Sequence, residues 1–167
     1  MMKVAQIVRN GQRTVRHQPG GNTVEPLSPP SENGYGVLIG TIPPGAGAPL
    51  HSHADAESFY LLSGEAEALV QTADGLEWQI LKPGDFVHTP GGVKHAWRNR
   101  SSEIPLALVI STAEHGRALV EMGRNASEPS FQSPSKAAVQ RIVEVGERHG
   151  YWYGSPAENA AVGIKLT

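Results

Sequence analysis

The chain has 167 residues, a formal net charge of -2 and no cysteine. That length fits one domain with a real core, and the missing cysteines exclude disulfides and thiolate metal ligands. No basic stripe marks a nucleic-acid surface, and no stretch is long and apolar enough for a membrane helix.

Residues 1–34 are loosely patterned. Val4 to Val8 reads as a short strand, while Gly20-Gly21 and Ser28-Pro29-Pro30 break the chain. An N-terminal arm with edge strands is expected here. It has no signal-peptide apolar region, so a cytoplasmic location is expected.

From Tyr35 the rhythm becomes that of short strands between turns. Gly36 to Ile42 is rich in strand formers and stops at Pro43-Pro44-Gly45. Glu57 to Leu62 stops at Ser63-Gly64. Glu65 to Gln71 and Leu76 to Leu81 flank Ala73-Asp74-Gly75, a hairpin signal. Lys82-Pro83-Gly84-Asp85 is the next turn. Phe86 to Thr89, His95 to Asn99 and Leu106 to Ile110 are further strands. This spacing predicts a sandwich or barrel over residues 35–111.

Residues 112–167 read as a helical tail. A stretch from Ala113 to Met122 has weak helical character, and Asn125 to Ser135 is a polar connector. Ser133-Pro134 reads as an N-cap with proline at the first helical position. Val139, Ile142 and Val143 then repeat at helical spacing, and Gly150 stands at a C-cap. The apolar face is too small to fold alone, so the tail should pack on the barrel or on a second subunit.

His51-Ser52-His53 sets two imidazoles on one face of an extended strand. Glu57 has the same parity if the residues between stay roughly extended, and His95 begins a distant strand that a barrel brings alongside. Neutral imidazoles with one carboxylate suit a divalent Fe, Mn, Ni, Co, Cu or Zn ion. Four such donors on an octahedral ion leave two positions open for chemistry. Each residue alone has a plain structural reading: surface histidine, solvated glutamate, hydrogen-bonded core histidine.

Together they match a pattern. Gly45, His51, His53, Glu57 and Gly64 stand at the spacing G-x5-H-x-H-x3-E-x6-G. Gly84, Pro90, Gly92, His95 and Asn99 stand at G-x5-P-x-G-x2-H-x3-N. In these residues the chain resembles the cupin superfamily, in particular single-domain cupins similar to bacterial quercetinases. The resemblance implies a mainly β, double-stranded β-helix (jelly-roll) barrel with metal ligands His51, His53, Glu57 and His95. The glycines and Pro90 are read as shaping the barrel, and Asn99 as stabilising a turn.

Parity puts Phe59 and Leu61 on the face of Glu57 and Trp97 on that of His95, giving an apolar cavity beside the metal. His88 is placed equally well in the pocket or on the surface. His17, His115 and His149 are expected at the surface. Lys82, Lys94 and Arg98 are not aimed inward, which argues against a phosphosugar. The expected function is a metal-dependent oxygenase of a small phenolic or enolic compound, with Glu57 accepting a proton. The alternatives are a non-enzymatic binding or sensing protein, or an isomerase or lyase. A homodimer is expected, with the N-terminal arm crossing over an edge strand.

Overall fold

A computed structural model describes residues 5–28, 34–125 and 136–166, with only the backbone of residues 136–139. In chain order the strands are β1 (Arg16–His17), β2 (Thr23–Pro26), β3 (Tyr35–Thr41), β4 (Gly47–Ser52), β5 (Glu57–Ser63), β6 (Ala66–Thr72), β7 (Gly75–Leu81), β8 (Phe86–Thr89), β9 (His95–Arg98), β10 (Leu106–Thr112), β11 (Arg124–Asn125) and β12 (Trp152–Tyr153). Among the described residues the helices are α1 (Ala113–Met122), α2 (Lys136–Arg148) and α3 (Pro156–Ala161), all after β10.

The strands form two antiparallel sheets, one ordered β11-β1-β2-β3-β10-β5-β8 and the other β12-β4-β9-β6-β7. Sequence neighbours often lie in opposite sheets, the pattern of a jelly roll. Alternation follows the pleat. On β5, Glu57 and Leu61 are buried while Tyr60 and Leu62 face outward.

The turns obey their local chemistry. Thr72 and Gly75 pair across the β6–β7 hairpin, and the Thr72 hydroxyl donates to the Gly75 carbonyl. Asp85 accepts from the Lys82 amide and returns its own amide to the Lys82 carbonyl. Gly64 has φ 73°, and a Cβ there would lie 2.8 Å from Pro105 Cα. Both conformation and space therefore require glycine. Buried Asn99 ties three segments together. Its amide donates to the carbonyls of Ile42 and Glu103, and its oxygen accepts from the Ser101 amide.

The tail is built into the barrel. Thr112 ends β10 and caps α1, accepting from the His115 amide. The helix then lies over Val24, Leu38 and Val109, against which Leu119 and Val120 pack. Gly36 lets it come close: a Cβ at Gly36 would meet Gly116 Cα at 3.3 Å. Val145 of α2 joins Ala118, Met122 and Tyr151 in a second cluster. β12 adds to the second sheet beside β4, and the Asn159 amide oxygen accepts from the Leu50 N–H. Trp78 donates its indole N–H to the Val162 carbonyl over the outer face of that sheet.

Several expectations are corrected. Residues 5–8 form no strand, because nothing pairs with them there; Val4 lies outside the described residues. The Ser133-Pro134 cap and most of the polar connector also lie outside the described residues, whereas Gly150 follows α2 with φ 71° as a C-terminal glycine does. No helix among the described residues is long and apolar enough to cross a membrane.

Candidate metal centre

His51 on β4 and His95 on β9 are direct partners in the ladder. His53 lies just beyond the end of β4, where its carbonyl accepts from the Gly92 amide at 2.7 Å. Glu57 opens β5 opposite Thr89 and Ser111. The segment between is pinned by Thr112, whose hydroxyl donates to the Asp55 carboxylate. The sequence-based set is thus drawn into one buried cluster from three strands and one tight connection.

Each of these imidazoles is oriented by a backbone carbonyl. Nδ1 of His51, His53 and His95 donates to Pro49 O, Asp55 O and Val93 O at 2.7, 2.8 and 2.8 Å. A carbonyl only accepts, so Nδ1 carries the proton and Nε2 of the neutral ring keeps a free lone pair. Outer contacts of this kind also hold ligand histidines in protein metal sites. The ligand atoms of His51, His53 and His95 lie within 4.8 Å of one another. Glu57 Oε1 is 2.9 Å from His95 Nε2, and Oε2 is 3.8 Å from His53 Nε2.

His115 is the correction that matters most. It is expected at the surface, yet it is 1 % exposed and its Nε2 is 2.8 Å from Glu57 Oε2. Its ring centroid is 4.1 Å from that of His53, and His53, Glu57 and His115 form a second group of convergent donors. The signal was present in the sequence: His115, Ala118 and Met122 share the buried face of α1. His17 and His149 are partly buried rather than free on the surface. His149 sits between Glu114 and Glu121, 2.9 Å from each.

The electrostatics follow from burial. Burial pushes the Glu57 carboxyl up, but the imidazoles of His115, His53 and His95 outweigh it and hold it well below the usual range. Burial, helped by His95, lowers His51 to about 3, so this ring is neutral. Burial also lowers His95, but the Glu57 carboxylate more than restores it and leaves the pKa raised. Burial, then Glu57, raises the Tyr151 phenol, which stays protonated.

These residues fit a divalent metal ion. Nε2 of His53, His95 and His115 are all buried without a hydrogen-bond partner. Orphaned lone pairs of this kind beside a carboxylate are costly unless a cation completes them. The donor set is borderline in softness and suits first-row transition ions or zinc.

Beside the cluster is a cavity of about 100 Å³ reached by His51, Glu57 and His115. Phe59, Leu61 and Trp97 line it, with the Phe59 and Trp97 rings 4.1 Å apart. His88 does not. It is exposed, with Nδ1 2.9 Å from the Ser58 hydroxyl on the outer face, because β8 runs antiparallel to β5 with His88 opposite Ser58. Among the described residues, no lysine or arginine lines the cavity. Lys94 instead covers Trp152, and Arg98 pairs with Glu67 over Trp78. The indole Nε1 of Trp97 and the amide oxygen of Asn22, another lining residue, are buried without partners.

Comparison with known proteins agrees with the fold. Residues 38–112 match the family model described as a cupin domain. The chain carries a cupin domain. Its fold is shared by an RmlC-like cupin from Shewanella frigidimarina, at 18 % identity and TM-score 0.56, covering 68 % of this chain and 95 % of that one. The polyketide cyclase RemF from Streptomyces resistomycificus matches at 16 % identity and TM-score 0.59, over 85 % of this chain and 99 % of that one. The DMSP lyase DddQ from Ruegeria pomeroyi is 31 % identical over 48 % of this chain and 39 % of its own, with TM-score 0.43. No protein of curated function matches the sequence. The RmlC-like cupin and RemF speak for the fold alone. The function has to be argued from the cluster and its cavity.

Proposed function

We propose that this cupin is a metal-dependent enzyme acting on a small phenolic or enolic compound, with oxygenation as the reaction. The observation that carries this reading is the group of buried, unpartnered imidazole nitrogens beside Glu57 at the wall of an apolar cavity. His51, His53, His95 and Glu57 would hold the ion. When bound, a divalent transition metal supplies a Lewis acid that lowers the pKa of a substrate hydroxyl.

The chain's own residues do the rest. Glu57 is ionised at neutral pH and would take the proton from a substrate hydroxyl. Phe59, Leu61 and Trp97 exclude water and match a flat apolar ring. The free Trp97 N–H favours a substrate that carries an acceptor at its far side. Size narrows the class. The cavity, about 100 Å³, is well below the ~300–1,000 Å³ of pockets for drug-sized ligands. A large polyphenol would need the walls to move; a single-ring phenol or a small enol fits the scale better.

A second reading, a non-redox isomerase or lyase, is favoured by one observation: His115 brings a further imidazole to the cluster. One experiment separates the two. Metal-replete protein is incubated with a panel of small phenols and enols, in air and without oxygen, while oxygen uptake and substrate absorbance are followed. Oxygenation predicts uptake in step with substrate loss and no turnover without oxygen. Equal turnover under both conditions selects the non-redox reading, and no turnover of any compound leaves a binding protein.

A further inference from the structure

Three imidazoles near Glu57 are held by backbone carbonyls; His115 is held differently. It comes from a helix, and its Nδ1 is 2.7 Å from the phenol oxygen of Tyr151, which follows α2. Both residues are buried, and their rings are stacked with centroids 5.8 Å apart. The Tyr151 ring also lies against His53 and His51, at 4.9 and 6.1 Å between centroids. The helical tail thus reaches the metal cluster through one histidine and one tyrosine.

Two roles are open to His115. Its Nε2 either donates a proton to Glu57 or presents a lone pair to the ion. The 2.8 Å approach to Glu57 Oε2 favours the first on distance alone. Direction favours the second. Nε2 is not aligned for a hydrogen bond and remains buried without a partner, as do Nε2 of His53 and His95. The same short, unaligned approach to Glu57 is made by His95 at 2.9 Å. Nitrogens crowded around a carboxylate yet not pointing at it share another target.

We propose that His115 is a fifth protein donor to the ion, and that Tyr151 is the positioning residue that sets its ring. This rests on the reading of the cluster as a metal site. In this arrangement His115 Nδ1 donates to the Tyr151 oxygen, which leaves Nε2 with its lone pair. The consequence is chemical. An octahedral ion with five protein donors keeps one position, not two. The substrate class is then a compound that presents a single oxygen, such as an enolate, ketone or phenolate.

The test is structural and thermodynamic rather than catalytic. Wild type, His115→Gln and Tyr151→Phe are loaded with zinc, and occupancy is measured by elemental analysis. X-ray absorption then counts the imidazoles around zinc, and competition with a chelator gives its affinity. The proposal expects four imidazoles in wild type and three in His115→Gln. Tyr151→Phe should retain four but bind zinc ~10–100-fold more weakly, the usual cost of losing a partner outside the ligand set. One zinc per chain with three imidazoles in wild type would overturn the fifth donor while leaving the metal site standing. No stoichiometric zinc in wild type would overturn both. The wild-type count decides the matter even if His115→Gln fails to fold.

Discussion

His51 faces His95 across the β4–β9 pair, their ring centroids 4.2 Å apart. The two come from separate motifs, and only sheet pairing makes them neighbours. The ladder therefore sets the spacing of the imidazole donors before any ion arrives. Replacing His95 by alanine should leave the ladder intact, because Ala96 and Trp97 still pair with Leu69 and Ala68. Zinc affinity should fall by more than the ~10–100-fold typical of an outer partner. Chelator competition with retained far-ultraviolet circular dichroism measures this, and an unchanged affinity would remove His95 from the ligand set.

Glu57 has two separable roles, ligand and proton acceptor. Glu57→Gln keeps the shape but cannot take the proton. In protein shown by assay to be metal-saturated, turnover should fall ~10²–10⁴-fold, the usual contribution of a placed base. Wild-type turnover in the saturated variant would leave Glu57 as a ligand only.

The metal-free protein should lose stability in acid. Burial lowers the pKa of His51 to about 3 in the folded state, against 6.5 for the ordinary imidazole of the unfolded chain. Between those values the unfolded chain binds a proton that the folded chain refuses, so stability falls as pH drops through the window. Glu57, whose folded pKa is depressed, adds a loss of the same sign, but only below its unfolded value of about 4.5. His95 has a raised folded pKa and acts oppositely. It adds stability as pH falls toward 6.5, and that contribution then stays constant. Urea midpoints of chelator-treated protein should therefore decline steadily from pH 6.5 to 4. A flat or rising profile would contradict the burial assigned to His51.

Asn99 tests the opposite kind of residue, conserving the fold rather than the chemistry. Asn99→Ala strands the carbonyls of Ile42 and Glu103, which its amide satisfies. Each buried unsatisfied group costs ~1–3 kcal/mol, so a loss of about 2–6 kcal/mol is expected in denaturant titration. Metal stoichiometry should not change. Loss of the metal without loss of stability would mean that Asn99 acts on the site.

The barrel was legible because its signals are local. Turn residues such as Ala73-Asp74-Gly75 and the alternation along β5 both act within a few residues, and the histidine spacing survives translation into a pleated strand. His115 was missed for a physical reason. Its partner Glu57 is reached only because β10 pairs with β5 and α1 starts at once from Thr112. The burial of His115 is legible from the apolar face of α1, but nothing near it in the chain points to Glu57. β12 was hidden likewise, since Trp152 and Tyr153 form a strand only by pairing with Ser52 and His51. The sequence leaves His88 open between pocket and surface because parity along β8 depends on its register against β5, which the turn before it does not reveal.

Whether one divalent ion sits among His51, His53, Glu57 and His95 is read from anomalous diffraction of zinc-loaded crystals, with elemental analysis of the same sample. One zinc per chain is expected, ~2.0–2.1 Å from Nε2 of His51, His53 and His95 and ~2.0–2.2 Å from a Glu57 oxygen. Zinc bound only at exposed sites such as His88, with the buried cluster free of anomalous signal at saturating metal, would contradict it.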